Sequence, residues 1–171
     1  MDAISLLQQQ IQTSREMMEG TVADLTQQQA EHDPGGKAMK AGALYAHSIV
    51  GEDFFINSIL QGGQPLMATS FAGKSGISEP PPPGPGLDEW AKRVKIDLPA
   101  LRAYAQAVYQ STDKYVSSLK PEDLTREIQM QELGKQSLAW VLSMIAVVHP
   151  SNHCGEISCL KGVQGAKGYP F

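Results

Sequence analysis

The run VVHPSNHCGEISCLKG near the C-terminus carries two histidines, His149 and His153, four residues apart. Four residues is just over one helical turn, so on a helix both imidazoles leave by the same face, close enough to share one ion. A third histidine, His47, stands 102 positions before His149 in another apolar, helix-like stretch. Imidazole nitrogens bind Zn(II) at about 2.0–2.1 Å, and catalytic zinc sites often combine three protein ligands with a water. Imidazole suits nickel, iron and copper as well. The spacing therefore predicts an open divalent-metal site built from His47, His149 and His153. HxxxH alone is weak evidence, because a packed or solvated histidine pair has the same spacing. The register strengthens it: stepping back from His153 and His149 by helical turns meets Ile145, Leu142 and Leu138. An apolar stripe that turns polar without changing face needs something polar to meet it.

The metalloprotease pattern is absent, since it requires a glutamate directly after the first histidine and this chain has Pro150 there. A proline inside a helix removes a backbone hydrogen bond and usually kinks the axis. Glu156, three residues after His153, is the candidate catalytic base. It is equally placed to orient an imidazole, hold a metal-bound water or act as a fourth ligand, and the bland alternative is a solvated carboxylate. Glu52 and Asp53, five and six residues past His47, are expected to point away from its face into surface roles. His32, inside the loop signal HDPGG, is expected to be a solvated loop histidine. Cys154 follows His153 directly and reads either as a redox-sensitive thiol or, more simply, as a small apolar filler.

Four amphipathic helices are expected to position these residues. The first covers residues 3–19, with Asp2 as N-cap and Gly20 as its end. Residues 21–36 read as polar loop. The second covers residues 37–60, with Met39, Ala43, Leu44, His47, Val50, Phe54 and Ile59 on its apolar face. Gly51, one turn past His47, costs roughly 1 kcal/mol against alanine and leaves open space beside the imidazole. Residues 61–96 hold GGQP and the stiff run SEPPPPGPG, which predict a long crossover loop. One helical turn at residues 87–93 is expected within it, anchored by Trp90. The third helix has Asp97 as cap, Pro99 in its first turn, and a seam running from Leu98 to Leu119. Tyr104, Tyr109 and Tyr115 are expected to pack with their hydroxyls at the edge. Residues 121–131 read as turn and connector, and the fourth helix as starting near Glu132 or Gly134 and running to about Lys161.

The bulk composition fits one domain with a sizeable core, which the helical spacings above make all-α. The chain has 171 residues, 42% hydrophobic and 19% charged, with a net charge of −4. No long Lys or Arg run is present, which argues against a nucleic-acid partner. No stretch approaches the ~20 apolar residues of a membrane span, and MDAISLLQQQIQ lacks the basic start and apolar run of a signal peptide. Cys154 and Cys159 are five apart and point different ways on a helix, so a disulfide is not expected and a reducing, cytoplasmic setting fits.

His47 in an amphipathic second helix, HPSNH in the last, then GEISCLKG and QGAKGYPF, resemble the DinB-like proteins. The C-terminal run is most similar to the branch that contains thiol-dependent transferases. The resemblance implies a four-helix bundle in up-up-down-down order, often a homodimer. It also implies a zinc or nickel ion on His47, His149 and His153 that activates a small thiol such as mycothiol or bacillithiol. The family often has glutamine where this chain has Glu156, and ordinary helix formers where it has Pro150. Three function classes follow. One is a metal-dependent transferase or hydrolase acting on a small molecule. Another is a non-catalytic stress-response or binding protein with a structural metal. The third is a plain helical interaction module without metal, whose histidines would face solvent or other side chains.

Overall fold

The computed structural model describes residues 2–130 and 133–171 and is mostly helical. Helix α1 (Ala3–Val22) begins where Asp2 accepts the Ser5 N–H at 2.8 Å. It runs through Gly20 instead of stopping there. A Cβ at Gly20 would lie 2.9 Å from the Pro170 ring, so this glycine serves the close approach of the C-terminal tail. The end of α1 is capped from another helix: Arg102 donates to the carbonyls of Val22, Ala23 and Leu25 at 2.7, 3.2 and 3.3 Å. The stretch expected as loop contains α2 (Gln27–Glu31), opened by a capping box between Thr26 and Gln29.

Helix α3 (Ala41–Asp53) starts four residues later than expected and passes directly into a π-helical segment, Phe54–Leu60. It is buried almost all round. The expected face fails at its far end, where Phe54 and Ile59 are 46% and 42% exposed. The π segment is the reason, because its i→i+5 bonding breaks the 3.6-residue register that the sequence pattern assumes. The crossover holds a 3₁₀ turn at Leu66–Ala68 and α4 (Leu87–Arg93). Trp90 is fully buried there and donates to the Glu79 carbonyl at 2.9 Å.

Helix α5 (Leu98–Ser117) begins at Asp97, which accepts the Ala100 N–H, with Pro99 in the first turn. The expected connector is a small antiparallel hairpin, β1 (Glu127–Met130) with β2 (Gly134–Ser137), pairing Glu127 with Ser137 and Met130 with Gly134. Its strands are too short and too polar to declare themselves by alternation. The last helical rod therefore starts later than expected, at α6 (Leu138–Ser143), capped by Ser137; Glu132 lies outside the described residues. It continues through a second π segment, Met144–Val148, into α7 (His149–Val163).

Inter-helix partners fix the chain directions. Gln8, Arg15, Glu19 and Val22 of α1 meet Ser117, Asp113, Tyr109 and Arg102 of α5, which is an antiparallel order. Arg15 and Glu19 meet Glu52 and Tyr45 of α3, also antiparallel. Ser14 and Thr21 meet Ser151 and Cys154 of α7, a parallel order. The rods thus run up, down, down, up, and not up-up-down-down. The long crossover joins the two that run the same way. Among the described residues no helix is long and apolar enough to cross a membrane.

The apolar interior forms two clusters, one around Met18, Ile49, Tyr104 and Ile157, the other around Ile11, Ile56, Val116 and Leu142. Between them lies a polar layer contributed by all four rods. Glu52 and Asp53, expected at the surface, are buried in it. Glu52 accepts from Arg15 at 2.9 Å and from Thr112 at 2.7 Å. Arg15 also pairs with Asp113 and lies 4.6 Å from the Tyr109 ring centre. Asp53 accepts four hydrogen bonds, from Asn57, the backbone of Leu66 and Met67, and the Tyr104 hydroxyl at 2.6 Å. The hydroxyls of Tyr104 and Tyr109 are therefore partners of carboxylates, the second of Glu19, and only Tyr115 meets an exposed group, Arg126. Glu52→Ala deprives a buried guanidinium of its buried carboxylate partner and should lower unfolding stability by about 3–5 kcal/mol. Asp113→Ala removes a carboxylate whose side chain is 59% exposed, and should cost no more than about 1 kcal/mol. Urea unfolding of the two variants checks the contrast, and equal losses would contradict it.

Candidate metal centre

Helix α3 supplies His47, and α7 supplies His149 and His153 from its first two turns. The three Nε2 atoms converge. His149 Nε2 lies 3.1 Å from His47 Nε2 and 3.0 Å from His153 Nε2. The rings stand nearly perpendicular to one another, at 74°, 77° and 82°, with centres 4.5–5.1 Å apart. Three donors bound to one ion at about 2.05 Å would be separated by roughly 2.9 Å in an octahedral face and roughly 3.3 Å in a tetrahedron. The two measured separations fall inside that interval. Among the described residues these three form a group with all ligand atoms within 4.8 Å, and each is half-buried.

The local sequence explains how the rods approach this closely. Gly51 faces the α7 ring: a Cβ there would sit 3.5 Å from His149 Cε1, in ordinary contact. The space expected beside His47 therefore lies beside its partner. Pro150 falls in the first turn of α7, directly after the π segment, where a missing N–H costs least. The buried stripe of this rod reads Leu138, Leu142, Ala146, Pro150, Cys154, Ile157 and Lys161. The histidines are one position off that stripe, on the flank that meets α3. The expected continuity of the core face into the polar face thus fails at the π segment, where Ile145 is only half-buried.

Burial is the main cause of the imidazole basicities. It pushes His47 down to about 4, with the approach of His153 adding to the effect. It pushes His149 down to about 3, with His153 and then His47 adding to it. Both rings are neutral at physiological pH and present lone pairs, the state a metal requires. His149 Nδ1 is buried with no hydrogen-bond partner, so the polar contacts of this ring run through Nε2. His153 Nδ1 lies 2.6 Å from Glu156 Oε2, on the far edge of the ring from the convergence point. His32 is exposed. Cys154 is buried against Thr21 at 3.3 Å, and burial raises its thiol pKa, which makes it packing and not a reactive thiol. Cys159 is exposed.

Residues 10–157 match the DinB superfamily. A solved structure described as a conserved protein from Enterococcus faecalis is similar over 96% of this chain and 99% of its own, with a TM-score of 0.80 and 22% identity. That likeness concerns the fold. No curated protein matches the chain.

The depressed basicities carry a pH signature. Unfolded histidines take up protons near pH 6.5, whereas His47 and His149 resist protonation until about 4 and 3. The unfolded state binds more protons across that window, so stability falls as pH falls through it. Metal-free wild type should lose stability between pH 6.5 and 4 more steeply than the His47→Asn, His149→Asn double variant. Parallel profiles in urea titrations would contradict the burial of these rings.

Proposed function

The chain belongs to the DinB superfamily, and from that premise we propose that it is a divalent-metal protein that acts on a small molecule at the three-histidine centre. The observation that carries this reading is the meeting of three imidazole Nε2 atoms from two rods, at separations that suit one ion. His47, His149 and His153 would hold zinc or nickel in a bundle of four helices. A bound ion of this kind lowers the pKa of a thiol or water and provides a nucleophile at neutral pH. The chain's contribution is to keep His47 and His149 neutral by burial and to hold the three imidazoles together on two helical rods. Three protein donors also leave coordination positions for an outside ligand. A low-molecular-weight thiol transferred to an electrophile, or a water in hydrolysis, fits that opening. A closed structural site with Glu156 as fourth ligand is less well supported, because its carboxylate meets His153 from behind.

Elemental analysis of protein purified without added metal tests the centre. Wild type should carry roughly one ion per chain, as a single three-histidine site requires, and His47→Ala and His149→Ala should carry almost none. Equal metal content in wild type and His149→Ala would end the reading. A small thiol should then shift the visible spectrum of cobalt-substituted protein, and an unchanged spectrum would favour a structural ion.

A further inference from the structure

We infer that Glu156 is a positioning residue, one that fixes the tautomer of His153 and so directs the ring's lone pair toward His47 and His149. The inference rests on the three-histidine reading for its consequence, but not for its geometry. Glu156 stands three residues after His153 on α7, and its Oε2 is 2.6 Å from His153 Nδ1. The other ring nitrogen, Nε2, is the one that meets His149 at 3.0 Å. The carboxylate and the convergence point thus lie on opposite edges of one imidazole.

A carboxylate has acceptors and no donor, so the bond is satisfied only when the proton sits on His153 Nδ1. The lone pair of the neutral ring is then on Nε2, facing inward. Among the described residues neither other imidazole has such a partner at Nδ1: that of His149 is buried and unpaired, and no hydrogen bond is made by that of His47. One exposed carboxylate therefore sets the tautomer of His153. Carboxylate partners of metal-bound histidines fix ring orientation and tautomer in the same way.

The residue type matters here. A glutamine at this position can present its carbonyl to an Nδ1–H or, after rotating, its amide N–H to an Nδ1 lone pair. It tolerates both tautomers, and glutamate enforces one. Glu156 is 56% exposed, so its replacement leaves the core untouched.

Nitrogen-15 NMR of metal-free protein at pH 8 tests this without any ion. Wild type should show His153 protonated at Nδ1. Glu156→Gln should show a mixture at His153, and Glu156→Ala a loss of the bias, with thermal midpoints unchanged. Zinc affinity by competition with a chromophoric chelator should fall in the order Glu, Gln, Ala, by about 10–100-fold overall. Identical His153 tautomers in all three proteins would overturn the inference. Equal zinc binding by wild type and His47→Ala would instead defeat the metal reading, with the tautomer result still standing on its own.

Discussion

The buried polar layer between the two apolar clusters is the constraint on which the rest depends. Helix α3 is buried on nearly every side, from Ala41 to Asp53. Hydrophobic burial alone gives such a helix little rotational preference, because turning it exchanges one apolar contact for another. Glu52 and Asp53 remove that freedom. A carboxylate that is buried must find donors, and the donors are at fixed places: Arg15 on α1, Thr112 and Tyr104 on α5, and the amides of Leu66 and Met67 in the crossover. Meeting all of them sets both the rotation and the height of α3. His47, one turn and a little before Glu52, is thereby aimed at α7. Buried ion pairs are weak sources of stability but strong sources of specificity when every group is satisfied.

The same layer explains why the centre forms at this level of the fold. Apolar side chains fill the levels above and below, where an imidazole would lack polar surroundings. At the level of Ser14, Arg15, Glu52 and Thr112 the rods carry polar groups, and His149 and Ser151 enter the same layer from α7. Each of the two rods that supply histidines also contains a π segment on the same side of the centre. In the last rod it ends immediately before His149; in α3 it begins seven residues after His47. A π turn shifts everything beyond it relative to the core stripe. In the last rod this leaves Pro150 and Cys154 in the interior and His149 and His153 on the flank, half-buried. A site built on the stripe itself would be closed to any outside ligand.

Local chemistry was legible in the sequence, and long-range electrostatics was not. The Asp97 cap with Pro99 in the next turn, the turn at Leu87–Arg93 and its Trp90 anchor all follow from residue type and position, and the structure agrees with them. The convergence of His47 with His149 and His153 followed from helical spacing and core register, although the register argument was off by one residue at the π segment. Gly20 misled because a glycine that ends a helix and one that admits a neighbouring chain look alike in sequence. The hairpin Glu127–Ser137 was missed because four-residue polar strands carry too few alternations. The order of chain directions was missed because the partners that decide it, such as Arg15 with Asp113 and Gln8 with Ser117, are about a hundred residues apart and polar.

The carboxylates make that limit concrete. Glu52, Asp53 and Glu156 all sit on helices within a few residues of a metal-ligand candidate, and helical geometry alone ranked Glu156 as the reactive one. Their environments assign them differently. Glu52 is buried beside a guanidinium that offsets the cost of its desolvation. Asp53 is buried among four donors and is saturated by them. Glu156 is exposed and has one strong partner, the Nδ1 edge of His153. Helical periodicity reports only which side of a rod a residue takes. What a carboxylate does depends on whether water, a cation or an N–H lies opposite, and that information resides in the other rods. Here the two buried acids hold the helix that carries His47, and the exposed one holds a ring. Among the described residues the group that could hold an ion is made of the three imidazoles.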